Sequence, residues 1–218
     1  MSDTALIPGG RDVRTGLDLA SAAGDAADPC ADDATRRADA IVVACPPHPR
    51  QGGHRGDERL VAASDALTER GVDCLRFDYG DWDGGDGETA DADRTVGWAA
   101  ERYDRVGLFG FSFGATVALV AAASRPALSG VCALAPTARL TPEVDAVDAL
   151  DDLVESGVPT WVGYGTRDST ADWEPVVERA TELGVETAAF ESDHVFVGRA
   201  GSVGNEAAAF FAPRLRDA

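Results

Sequence analysis

The sequence predicts an α/β protein built on a mostly parallel sheet with helices on both faces. Three observations predict it. Short apolar runs alternate along the chain with longer amphipathic or alanine-rich stretches, the order of a parallel sheet whose crossovers are helices. Gly110-Phe111-Ser112-Phe113-Gly114 lies between an apolar run, residues 105–109, and a run of small apolar residues, 115–123; that is the strand, sharp turn and helix a G-x-S-x-G nucleophile elbow requires. Asp168 and His194 follow Ser112 in the chain, each just beyond a later strand-like run, where open parallel sheets place their chemistry.

Taken in order, residues 5–7 and 12–19 read as two short edge strands. Residues 24–40 are polar and alanine-rich and read as an exposed connection. Residues 41–45 are continuously apolar and end at Pro46-Pro47, as a buried central strand would. A helix is expected over 57–70, with Leu60, Val61, Ser64 and Leu67 inward and Gly71 as its stop. Residues 72–77 form the next strand. The loop 78–87 alternates acidic or aromatic residues with glycines. It lacks the ligand order of an EF-hand and reads as a substrate-side loop. Helices are expected over 91–102, 143–155, 173–183 and 203–211, and strands over 131–135, 160–164 and 185–190. One domain, 1–218, accounts for the whole length.

The elbow carries the chemistry. A serine on so tight a turn has strained dihedrals, and a Cβ at position 110 or 114 would crowd neighbouring backbone. The following helix aims free N–H groups at the reacting centre. A serine hydroxyl needs a base within hydrogen-bond reach, and the three histidines are His48, His54 and His194. His194, after the last strand, is placed to reach back over Ser112. Asp168 would orient it and stabilise the imidazolium. Asp172, one turn further on, is the serious alternative; Asp193 adjoins His194, and adjacent side chains rarely face each other. For the oxyanion, one N–H is expected from Phe113. The second is expected from the loop after Cys45, where Pro46, Pro47 and Pro49 have no N–H and Arg50 is the candidate donor. His48 and Trp82 are the candidate substrate-binding side chains, with Phe113 beside them.

The 38 acidic residues outnumber the 19 basic ones, all arginine, giving a formal charge of −19. Such a field repels nucleic acid. Its dispersion along the chain points to adaptation to high salt, where screening shortens the Debye length to about 3 Å at 1 M, rather than to an acidic docking patch. No apolar run approaches the ~20 residues of a membrane span, and the N-terminus carries no basic segment followed by an apolar stretch; a cytoplasmic location is the expectation. Cys30, Cys45, Cys74 and Cys132 match no zinc spacing and read as reduced, with the last three in apolar runs. No metal site is expected.

These residues resemble the α/β-hydrolase superfamily, and within it the small lidless serine hydrolases whose first loop reads roughly HPHP-x-x-GG. Here that loop is Pro47-His48-Pro49-Arg50-Gln51-Gly52-Gly53, with proline where the first histidine often stands. The resemblance runs on through Leu75-Arg76-Phe77-Asp78-Tyr79, the elbow, Tyr164-Gly165-Thr166-Arg167-Asp168 and Asp193-His194-Val195-Phe196. It implies an α/β-hydrolase fold of about eight strands with strand 2 antiparallel, no cofactor, and a small-molecule acyl substrate, often an ester or thioester. Dienelactone hydrolases are similar but usually carry cysteine as nucleophile, so Ser112 argues against that activity. The rival readings are a catalytically silent binding protein of the same fold, or a triad enzyme acting on a non-ester acyl group, such as a perhydrolase.

Overall fold

The computed structural model describes residues 6, 7, 9, 11–20 and 38–215. Cys30 and most of the expected connection over 24–40 lie outside them. In chain order the elements are β1 (Leu6–Ile7), β2 (Val13–Asp18), β3 (Ala40–Cys45), a short 3-10 turn (Pro49–Gln51), α1 (Glu58–Thr68), β4 (Asp73–Asp78), α2 (Asp86–Ala100), β5 (Arg105–Phe111), α3 (Phe113–Ala123), β6 (Gly130–Leu134), α4 (Ala146–Ser156), β7 (Thr160–Gly165), α5 (Glu174–Glu182), β8 (Glu186–Phe190) and α6 (Ala200–Phe211).

The sheet runs β1-β2-β4-β3-β5-β6-β7-β8. β2 is antiparallel to both β1 and β4, and every later pairing is parallel. This is the α/β-hydrolase fold, without a lid. β3 lies between β4 and β5, and all six of its residues are buried, which is why its sequence is continuously apolar rather than alternating. One apolar layer joins the sheet to α2, α3, α4 and α5. The other joins it to α1 and α6. Those two helices meet closely at Gly204, where a Cβ would stand 2.4 Å from the Ala62 carbonyl oxygen.

Several boundaries differ from the sequence reading, each for a local reason. α2 starts at Asp86 rather than 91, so the glycine-rich loop is shorter than expected. The fully buried Glu88 carboxylate accepts from Gly85 N at 2.8 Å and Asp83 N at 2.9 Å, closing a capping box across the glycines. α4 starts at Ala146 rather than 143, because Asp145 caps it by accepting from Val147 N and Asp148 N. On α1, Ala63 and Ala66 are buried with Leu60, Ser64 and Leu67, while Val61 keeps partial exposure. β8 shows mostly exposed and half-buried residues, as an edge strand does.

Cys45, Cys74 and Cys132 are buried free thiols, and burial pushes the pKa of each one up, which keeps them protonated and unreactive. Among the described residues no group of three or more histidine, cysteine, aspartate or glutamate side chains is arranged to hold a metal. No described helix is long and apolar enough to cross a membrane.

Candidate active site

Ser112 caps the junction of β5 and α3 with φ 57° and ψ −124°, a region that side-chain-bearing residues rarely occupy. The turn is held by Ser112 N donating to Leu134 O at 2.8 Å and Ala115 N donating to Ser112 O at 2.8 Å. The two elbow glycines permit the approach. A Cβ on Gly110 would stand 2.1 Å from Gly114 O, and one on Gly114 would stand 2.3 Å from Pro46 O and 2.4 Å from Cys45 O. The serine turn is thus pressed against the end of β3.

Asp168 follows β7 and His194 follows β8. Their loops are tied together: Thr166 N donates to Phe190 O at 2.8 Å and Arg167 N to Ser192 O at 3.0 Å. Ser112 Oγ lies 2.8 Å from His194 Nε2, and His194 Nδ1 lies 2.7 Å from Asp168 Oδ2. The other carboxylate oxygen, Oδ1, accepts from Thr170 N at 2.8 Å and Ala171 N at 3.1 Å. An ionised carboxylate only accepts, so the ring proton sits on Nδ1 and the Nε2 lone pair faces the serine hydroxyl. The Asp168 side chain is fully buried. Asp172, the alternative acid, is exposed, and its N–H donates to Thr137 Oγ1 at 3.2 Å. Asp193 is exposed and makes its hydrogen bond to Val197 N.

The loop after β3 departs from expectation at Arg50. Its N–H donates to His48 Nδ1 at 3.2 Å, inside the loop's own turn, and is engaged there. The N–H groups of His48, Phe113 and Gly114 have no hydrogen-bond partner among the described residues. The paired glycines shape this loop: Gly52 has φ 84°, and a Cβ on Gly53 would stand 2.1 Å from Pro47 O. Tyr79 Oη donates to Pro46 O at 3.2 Å, tying the loop to the end of β4.

His48 stacks on Trp82, ring centroids 4.5 Å apart and planes at 22°. Phe113 packs 5.0 Å from His48 and 5.6 Å from Trp82. These rings form an aromatic wall next to the serine turn. Partial burial, aided by the Arg50 charge, lowers the pKa of His48 and keeps its ring neutral at pH 7. Ser112, His194 and His48 line an open cleft of about 150 Å³, and Asp57 and Arg59 also line it. The sequence pattern marked Asp57 only as a helix start and did not mark Arg59. A cation in the first turn of the helix after the glycine pair was the available signal.

A protein-family model described as X-Pro dipeptidyl-peptidase (S15 family) matches residues 77–196, more than half of the chain. The chain belongs to this family. Among solved structures, the S15 family member is similar to an α/β serine hydrolase without lid from Xanthomonas campestris, at TM-score 0.76 and 21% identity, covering 100% of this chain and 96% of that one. It is similar to Est1E from Butyrivibrio proteoclasticus at TM-score 0.75 and 16% identity, covering 98% of each chain. It is also similar to a dienelactone hydrolase from Anabaena variabilis at TM-score 0.73 and 19% identity, covering 99% of each. At these identities the likeness to solved structures is one of fold.

Proposed function

We propose that the protein is a serine hydrolase that cleaves a small carboxylic ester or thioester by acyl transfer. The observation that carries the reading is the chain of two short hydrogen bonds, Ser112 Oγ to His194 Nε2 at 2.8 Å and His194 Nδ1 to Asp168 Oδ2 at 2.7 Å. In this reading His194 removes the Ser112 proton as Oγ attacks the carbonyl carbon. Asp168 holds the tautomer and stabilises the imidazolium. The N–H groups of Phe113 and His48 receive the oxyanion, the latter in place of Arg50. His194 then protonates the leaving alkoxide or thiolate, and a water, deprotonated by the same ring, releases the acid and restores Ser112.

The aromatic wall of His48, Trp82 and Phe113 is the surface on which we place the substrate's apolar part. Est1E, one of the proteins of similar fold, has been seen with ferulic acid bound, which fits a site that takes small acyl compounds. We read the chain as a single domain and its charge as salt adaptation in a cytoplasmic setting. The family description favours a second reading, cleavage of an amide after proline, by the same acyl-transfer steps. Parallel assays with a p-nitrophenyl ester and an X-Pro p-nitroanilide separate the two. Turnover of the ester with none of the anilide supports the ester reading; the reverse replaces it with the peptidase. Loss of neither activity in Ser112→Ala overturns both.

A further inference from the structure

Acids outnumber arginines two to one in this chain, and most of the described arginines sit on a carboxylate or a carbonyl. Arg59, at the cleft, is less fully matched. Arg59 lines the cleft with Ser112. Its Nη2 meets Asp57 Oδ2 at 2.6 Å, but Nε is buried with no hydrogen-bond partner. Nη1 has only a 3.9 Å ion pair with the exposed Glu58. The guanidinium lies 4.5 Å over the ring of Phe111, the residue before the serine, and that ring is 5.5 Å from the His194 ring. Arg59 is therefore held by packing, in a low-dielectric corner, with donor capacity left over. Arg50, on the neighbouring loop, is exposed and forms no ion pair with a described residue.

We propose that Arg59, with the exposed Arg50 on the neighbouring loop, is a subsite for an anionic group on the substrate, so that the preferred substrates are esters carrying a second carboxylate. The inference rests on the hydrolase reading and names its substrate class. With Nη2 held by Asp57, the N–H donors of Nη1 remain to make a charge-assisted hydrogen bond to a carboxylate. Asp57 takes one edge of the guanidinium and fixes its orientation, leaving Nη1 to the ligand. The rings of His48, Trp82 and Phe113 would take the uncharged part.

The test compares matched substrate pairs that differ by one carboxylate, by titrating released acid in molar KCl. Ethyl hydrogen glutarate against ethyl pentanoate places the charge on the acyl side. 4-Acetoxybenzoate against phenyl acetate places it on the alcohol side. Each result is a ratio of kcat/KM, anionic over neutral, for the wild type and each variant at the same salt. The expected result is a fall of about 10-fold or more in the ratio of one pair for Arg59→Gln, carried by KM, as loss of a charge-assisted hydrogen bond gives. Arg59→Lys should restore part of it. Arg50→Gln, at an exposed position, should lower the same ratio by roughly threefold and serves if Arg59→Gln does not fold. Ratios in both pairs that ignore Arg59→Gln and Arg50→Gln, with ester turnover intact, overturn the subsite while leaving the hydrolase reading standing. Absence of turnover of every ester, with no labelling of Ser112 by a fluorophosphonate, overturns the hydrolase reading itself.

Discussion

His194 Nδ1 and Asp168 Oδ2 stand 2.7 Å apart although they belong to different loops. The carboxylate is buried, and its second oxygen is taken by two backbone N–H groups, so it is positioned before any substrate arrives. Asp168→Asn would present an amide N–H or a weaker acceptor to Nδ1 and favour the wrong tautomer. A fall in kcat of roughly 10³–10⁴ is expected. Asp172→Asn, at an exposed position hydrogen-bonded only through its backbone, should leave kcat within about twofold. Steady-state assays of the two variants check the pair, and a reversal of the two results would reassign the acid.

The contact between Gly114 and the end of β3 gives a stability prediction. A methyl group at 114 would overlap the carbonyl oxygens of Cys45 and Pro46 at 2.4 and 2.3 Å, both backbone atoms that cannot rotate away. Gly114→Ala should lower the melting temperature by about 4–8 °C, from about 2 kcal/mol of overpacking, and should displace the loop bearing His48. An alanine variant as stable and as active as the wild type would mean that this approach is looser than described.

The charge of −19 predicts a salt dependence. Ion pairs such as Arg125–Asp93 and Arg179–Glu182 offset only part of a twofold excess of carboxylates, and the remainder repel one another in the compact state. Screening that repulsion should raise the melting temperature steadily between about 0.1 and 2 M KCl. A transition that stays put across that range would return attention to a cationic partner.

Chain length on the acyl side is the next handle. The segment between β6 and α4 folds back on the body, with Leu140 N donating to Val144 O and Ala138 N to Asp172 O, and it does not roof the serine. An open cleft buries few methylenes, so each added one soon stops contributing the roughly 0.8 kcal/mol of full burial. Specificity should peak between acetate and hexanoate esters without interfacial activation. A kcat/KM that keeps rising to dodecanoate would require a covering element.

The middle of the sheet was legible because its central strands are buried on both sides. The run 41–45 has no other use for five consecutive apolar residues, and the structure makes it the centre of the sheet. Ser112, Asp168 and His194 could be singled out as the proposed triad because each lies just past a strand of the parallel part of the sheet. What pattern did not show depended on contacts across the fold. The start of α2 is set by a buried Glu88 reaching back to Gly85, and a single acidic residue after glycines looks like surface. The engagement of the Arg50 N–H depends on the orientation of one imidazole.

The central claim is that Ser112 is a nucleophile activated by His194. Labelling by a fluorophosphonate probe in molar KCl, followed by mass mapping of the modified peptide, tests it without knowledge of the substrate. The account predicts stoichiometric modification at Ser112, lost in Ser112→Ala and slowed by orders of magnitude in His194→Ala, with both variants folded. An unlabelled wild-type protein, or a label carried on a different serine, would contradict it.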